Sequence, residues 1–176
     1  MGRFLRMGIL ALAALILVGC ATTQQQVEEY QPPPDIDVPE GMVYVPPGKV
    51  KVTVYERRHP PGGPGDEELE WVNDGFFIDK YEYPNVEGEY PLNRVTFIEA
   101  QSKCAELGKR LCTMHEWLRA CQGPGRWKHC YGDEFDSDCC NASETIDAHR
   151  EKSGSRLCCK SVFGAVSYTH LRAHET

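Results

Sequence analysis

Eight cysteines crowd into one stretch of this chain: Cys104, Cys112, Cys121, Cys130, Cys139, Cys140, Cys158 and Cys159. A ninth, Cys20, stands apart at the end of an apolar run. Thiols at this density support three kinds of chemistry. They cross-link as disulfides, which is the expectation for an exported chain. They ligate soft metal ions as thiolates. Or one of them, if accessible and acidified, serves as a nucleophile. Zinc is the alternative to a disulfide framework, but no C-x-x-C pair occurs. Eight cysteines allow too many pairings for spacing to assign partners. Spacing does define two neighbourhoods: Cys112 and Cys121 flank one helix, and Cys130 lies one short loop from Cys139 and Cys140.

Other chemistry-bearing groups are sparser. Asp133, Glu134, Asp136 and Asp138 make an oxygen-rich turn of the kind that holds calcium. As an EF-hand it fails, with Phe135 at the third position and Asp138 where glycine belongs, so a solvated acidic turn is expected. His115 sits inside a helix-capping motif and His129 beside Cys130; both read as structural or exposed histidines. No glycine-rich phosphate loop, Ser-His-Asp arrangement or paired-carboxylate motif is visible.

Two helices must position the first cysteines. Thr96-Phe97-Ile98-Glu99 is a capping box, in which threonine oxygen and glutamate carboxylate satisfy each other's backbone amides. Apolar Phe97, Ala100, Cys104 and Leu107 then recur at helical spacing, and Gly108 supplies a left-handed stop. Thr113-Met114-His115-Glu116 repeats the device, with Trp117, Leu118, Ala120 and Cys121 as the apolar side of a second helix. Upstream, 41–48 and 76–82 read as strands, rich in β-branched and aromatic residues and bounded by Gly, Pro and Asn. The segment 131–141 reads as turn chemistry. Pro60-Pro61-Gly62-Gly63-Pro64-Gly65 and the acidic 66–70 read as a solvated loop between early strands.

The exact string across these helices resembles the sulfatase-modifying-factor family, whose type member is formylglycine-generating enzyme. The family run V-[ST]-W-x-x-A-x-x-[FY]-C-x-x-x-G-K-R-L-P-T-E-A-E-W-E-x-A is matched by Val95, Thr96, Ala100, Cys104, Gly108, Lys109, Arg110, Leu111, Thr113, Glu116, Trp117 and Ala120. Phe97 replaces the usual Trp and Cys112 the Pro. Gly41-Met42-Val43-Tyr44-Val45-Pro46-Pro47-Gly48 is similar to the opening M-V-x-I-P-x-G, and 76–82 with Asn85 to F-x-I-D-x-x-E-V-T-N. Tyr131-Gly132-Asp133-Glu134-Phe135 with Cys140-Asn141 is similar to Y-P-W-G-D-x-F-x-x-x-x-C-N. The resemblance implies an α+β chain with the irregular, loop-rich formylglycine-generating-enzyme fold, related to C-type lectins, of which only the N-terminal part is present. Family oxidases bind copper(I) and oxidise a substrate cysteine through a cysteine pair that follows a G-N-V-x-E-W phrase. That phrase does not occur here. No catalytic residue is therefore carried over, the metal is left unassigned, and calcium or copper is implied for a full-length protein only. Thr96, Glu99, Gly108, Lys109, Arg110, Leu111, Thr113, Glu116 and Trp117 are expected to be scaffold.

Neither end is expected to belong to the fold. Residues 1–19 carry Arg3 and Arg6, then an apolar run, then Leu17-Val18-Gly19 before Cys20. This reads as a bacterial lipoprotein signal, too short for an ordinary spanning helix, with Cys20 diacylated at the new N-terminus. More than one acyl chain anchors stably. Ala21 rather than Asp points to the outer membrane, facing the periplasm, in a Gram-negative envelope. Residues 20–40 are polar and Pro-rich, suited to a tether, and 41–165 is the expected partial domain. The terminal VSYTHLRAHET, 166–176, resembles a translated sequencing adapter, so His170 and His174 receive no functional reading.

The formal charge of −7 and the lack of a basic patch exclude a phosphate-backbone partner; no nucleic acid is expected. Together these features predict a membrane-anchored envelope lipoprotein whose partial domain binds a glycan or envelope protein and is catalytically incompetent. The alternative is a fragment of a formylglycine-generating or related nonheme metal oxidoreductase. The discriminating observation is the late cysteine pair in the uninterrupted gene.

Overall fold

A computed structural model describes residues 29–54, 66–141 and 150–166. The lipobox, Cys20, the Pro60–Gly65 run and His170 and His174 lie outside the described residues. The architecture is mixed α+β and loop-rich, with two small sheets and two helices. Its elements are β1 (Met42–Val45), β2 (Gly48–Val54), β3 (Asp66–Val72), β4 (Phe76–Asp79), α1 (Phe97–Glu106) and α2 (Met114–Gln122).

Two antiparallel ribbons precede the helices, β1 with β4 and β2 with β3. The first joins the two segments expected to be strands, with Val43 opposite Ile78 and Val45 opposite Phe76. The second corrects the reading of the acidic 66–70 as loop. Asp66–Val72 is a strand, registered so that Lys51 faces Leu69 and Lys49 faces Trp71. Lys51 pairs with Glu67 at 3.6 Å, and the Lys49 ammonium lies 5.4 Å from the Trp71 ring centre. Lysines on β2 thus complement the acidic and aromatic side chains of β3, as cross-strand pairing favours. On the other face Val50 and Val52 are buried. Helix α2 packs against β2 and β3, and His115 meets Glu70 at 2.7 Å.

The core has two adjoining parts. One gathers Val45, Ile78, Ala120, Phe163 and Ala165, with Tyr30, Val43, Phe76, Cys112, Trp117 and Val162 packed around it. The other consists of Cys121, Cys130, Cys140 and Cys159, with Trp117 and Tyr131 against them. Trp117 touches both, so this motif residue joins the aliphatic core to the sulfur core. Packing reaches beyond 41–165 at each end. Tyr30 stands edge-on to Phe163 and donates its N–H to the Val162 carbonyl at 2.8 Å, and Val166 donates to the Lys80 carbonyl at 2.8 Å.

The helices begin and end as their local signals predict. Thr96 and Thr113 are N-caps of complete capping boxes. Gly108, at φ 68°, closes α1 with the paired bonds Lys109 N–H to Cys104 C=O and Gly108 N–H to Ala105 C=O. The apolar stripe of α1 is a different matter. No residue of α1 is buried, and Phe97 and Leu107 are 66 % and 54 % exposed. Its periodicity forms a helix, but only the middle of that face, Ala100 and Cys104, is half-covered.

Candidate functional site

The motif residues converge on a polar node rather than on a cleft. Asn85, from the segment after β4, donates to the Gly41 carbonyl at 2.8 Å and to Asp79 Oδ1 at 3.1 Å, and accepts from the Tyr81 N–H at 2.9 Å. Lys109, just past the α1 stop, donates to the same Asp79 oxygen at 2.6 Å. One carboxylate therefore ties the start of β1, the end of β4 and the exit of α1. The neighbouring Arg110 grips both Glu116 oxygens, at 2.8 and 2.5 Å. Those hydrogen bonds, with the Thr113 backbone and hydroxyl, outweigh burial and hold the Glu116 carboxyl down at about 2. The bidentate geometry makes the Arg110–Glu116 link strong for surface groups.

Two further α2 residues were not legible as anchors. Arg119 is buried, with Nε donating to Pro46 O at 3.1 Å, Nη2 to Pro47 O at 3.2 Å and Nη1 to Gly123 O at 3.0 Å. Its guanidinium also lies 5.2 Å from the Phe163 ring centre. Burial, then Arg126, lowers its pKa. Gln122 closes a two-point bond with the Lys51 backbone, accepting from N–H and donating to C=O, both at 2.8 Å. The side-chain amide thereby extends β2 as a strand would. The available signal was a pair of polar residues at Arg119 and Gln122 interrupting the apolar stripe.

The groups with latent chemistry are the sulfurs. Cys139 is bonded to Cys158 and Cys140 to Cys159, so two vicinal pairs are laced in parallel. Arg156 aligns the two loops, forking onto Glu151 at 2.6 Å through each of two nitrogens while donating to Ser137 O and Asp138 O at 2.9 and 3.1 Å. Cys104, Cys112, Cys121 and Cys130 are thiols. Cys121 and Cys130 are buried in one cluster, and their mutual interaction pushes the Cys121 thiol up and the Cys130 thiol down. Cys130 Sγ is 3.6 Å from Cys140 Sγ. Cys104 and Cys112 are half-buried, and burial is the first cause raising both thiols. Asp79 adds to the effect on Cys104 and Glu116 to that on Cys112.

The sulfurs of Cys130, Cys140 and Cys159 lie within 4.8 Å of one another, a spacing within which thiolates could share a soft metal ion. Here Cys140 and Cys159 are joined to each other. A disulfide sulfur carries no thiolate charge, so the cluster is a disulfide with a thiol pair packed on it. The acidic turn does not converge on a point either. Asp133 accepts from the Lys128 N–H at 3.1 Å, Asp136 from the Asp138 N–H at 2.8 Å, and all four acidic residues are exposed. His129 stacks on Tyr131, ring centres 5.3 Å apart, and sits edge-on to Phe135.

Fold and site together define a small mixed α+β module, braced by a polar node and stitched by disulfides at its sulfur core. No family model matches the chain, and no match is found among curated proteins.

Proposed function

We propose that this chain is the N-terminal part of a sulfatase-modifying-factor-like domain, carried by a lipid-anchored lipoprotein of the cell envelope, where it binds a glycan or envelope protein and does not oxidise substrate. The observation that carries the reading is the Asp79 node. Gly41, Asp79, Asn85 and Lys109 come from three separate segments that resemble the family, and their side chains and backbone meet around one carboxylate. Chance resemblance of unrelated segments would not require such convergence. The thiols argue for binding over oxidase chemistry. A catalytic cysteine must be both accessible and acidified. Among the described thiols, Cys104, Cys112 and Cys121 are shifted away from the thiolate, and the one shifted toward it, Cys130, is buried.

Two measurements test the proposal. In bacterial cells fed an alkyne-labelled fatty acid, the full chain is expected in the membrane fraction with label, and Cys20→Ser is expected to lose both. A Cys20→Ser chain that is still labelled and membrane-bound would overturn the anchor. The purified chain, supplied with copper and oxygen, is expected to leave a C-x-P-x-R peptide unchanged. Formylglycine on that peptide would overturn the binding reading.

A further inference from the structure

The thiols at Cys121 and Cys130 take no part in the Asp79 node or the proposed binding role, yet they share one buried cluster. Cys121 lies in the buried last turn of α2, and Cys130 lies inside the turn in which His129 and Gly132 exchange backbone hydrogen bonds at 2.9 and 3.2 Å. Both side chains are nearly closed to solvent, 9 % and 2 % exposed, within one cluster that already contains a disulfide. Cys130 has two sulfur neighbours on opposite terms. Cys140, at 3.6 Å, is already bonded to Cys159. Cys121 is the other thiol of the same buried four-sulfur cluster, and it has no disulfide partner.

We propose that Cys121 and Cys130 form a further disulfide, which stacks on the Cys140–Cys159 bridge and pins the end of α2 to the His129–Gly132 turn. The reaction needs a two-electron oxidant, and a small-molecule disulfide such as oxidised glutathione supplies it. The Cys130 thiolate attacks one sulfur of that oxidant, breaking its S–S bond and releasing one thiol as a mixed disulfide forms. The Cys121 thiolate then attacks Cys130 Sγ and expels the second small thiol. Two protein thiols are oxidised, one oxidant disulfide is reduced to two thiols, and the two cysteine protons pass to those products. The exchange takes place during folding, before Trp117 and Tyr131 close over the sulfurs. Two buried thiols of one cluster are thereby converted to a covalent clamp.

A disulfide map of the full chain, refolded in a glutathione redox buffer and alkylated before digestion, tests this. Trypsin with an Asp-specific protease isolates Cys121 on 120–126 and Cys130 on 129–132, away from Cys139 and Cys140. The expected result is a 120–126/129–132 cross-link, cleaved by reductant, alongside Cys140–Cys159. Two outcomes would overturn the proposal: both peptides recovered alkylated while Cys140–Cys159 has formed, or 129–132 linked to any cysteine other than Cys121. In Cys121→Ser, 129–132 is expected to be recovered alkylated; its cross-linking to another cysteine in that variant counts against the pairing. Should Cys121→Ser not fold, the map of the unsubstituted chain decides alone. The outcome is independent of the family reading, so either can fail without the other.

Discussion

Replacing Glu116 by Gln separates the charge of the Arg110–Glu116 fork from the geometry of the capping box. The amide still reaches the Thr113 N–H, which Glu116 holds at 2.7 Å, so the box can close. What disappears is the charge-assisted pair to both guanidinium nitrogens. In the folded chain the Glu116 carboxyl titrates at about 2 against an ordinary 4.5, held down first by Arg110. A depression of that size corresponds to roughly 3 kcal/mol at about 1.4 kcal/mol per unit. Arg110 is 67 % exposed, so solvent screening reduces this to about 1–2 kcal/mol. The folded value lies below the unfolded one. The stabilisation is therefore complete above about pH 4.5 and is lost as pH falls through about 2. Thermal melts followed by circular dichroism should place Glu116→Gln about 3–6 °C below the unsubstituted chain at neutral pH. The gap should close as both are taken down to about pH 2. A Thr113→Ala control removes the hydroxyl that the Glu116 amide uses and should cost about 1 kcal/mol. Equal melting temperatures at neutral pH, or a gap that persists unchanged in acid, would refute the assignment of stabilising charge to this fork.

Gly108→Ala should cost about 1 kcal/mol in urea unfolding, because φ is 68° and no atom lies within 4 Å of an added Cβ; the loss is backbone strain alone. Asn at that position should recover part of it. Gln122→Leu leaves the Lys51 N–H and C=O without their partner and should cost about 2 kcal/mol. The Lys51 amide should then exchange hydrogen faster, and unchanged protection there would show that the amide bridge does not hold β2.

The Arg119 anchor explains a constraint that is invisible along the chain. A Cβ at Gly48 would come 2.5 Å from the guanidinium, which three carbonyls hold in place. Gly48 is needed for close approach rather than for a turn. The anchor also accounts for a buried cation that rests on backbone dipoles and an aromatic face, since each guanidinium nitrogen finds a carbonyl oxygen and the desolvation cost is offset locally.

What the sequence by itself determined is what short-range chemistry specifies. Both capping boxes, the Gly108 stop and strands β1 and β4 were legible because their signals lie within a few residues of one another. Strand β3 was not, because DEELE reads as solvated until the lysines of β2 are set opposite it. The apolar spacing of α1 specified a helix, but periodicity reports only that apolar residues align, not that anything covers them, and Phe97 and Leu107 stay exposed. Tertiary structure alone decided the meeting of Asp79, Asn85 and Lys109, the anchoring by Arg119 and Gln122, and the pairing of Cys139 with Cys158 and Cys140 with Cys159. A disulfide forms between sulfurs that folding brings together from distant loops, and cysteine spacing carries no information about that distance.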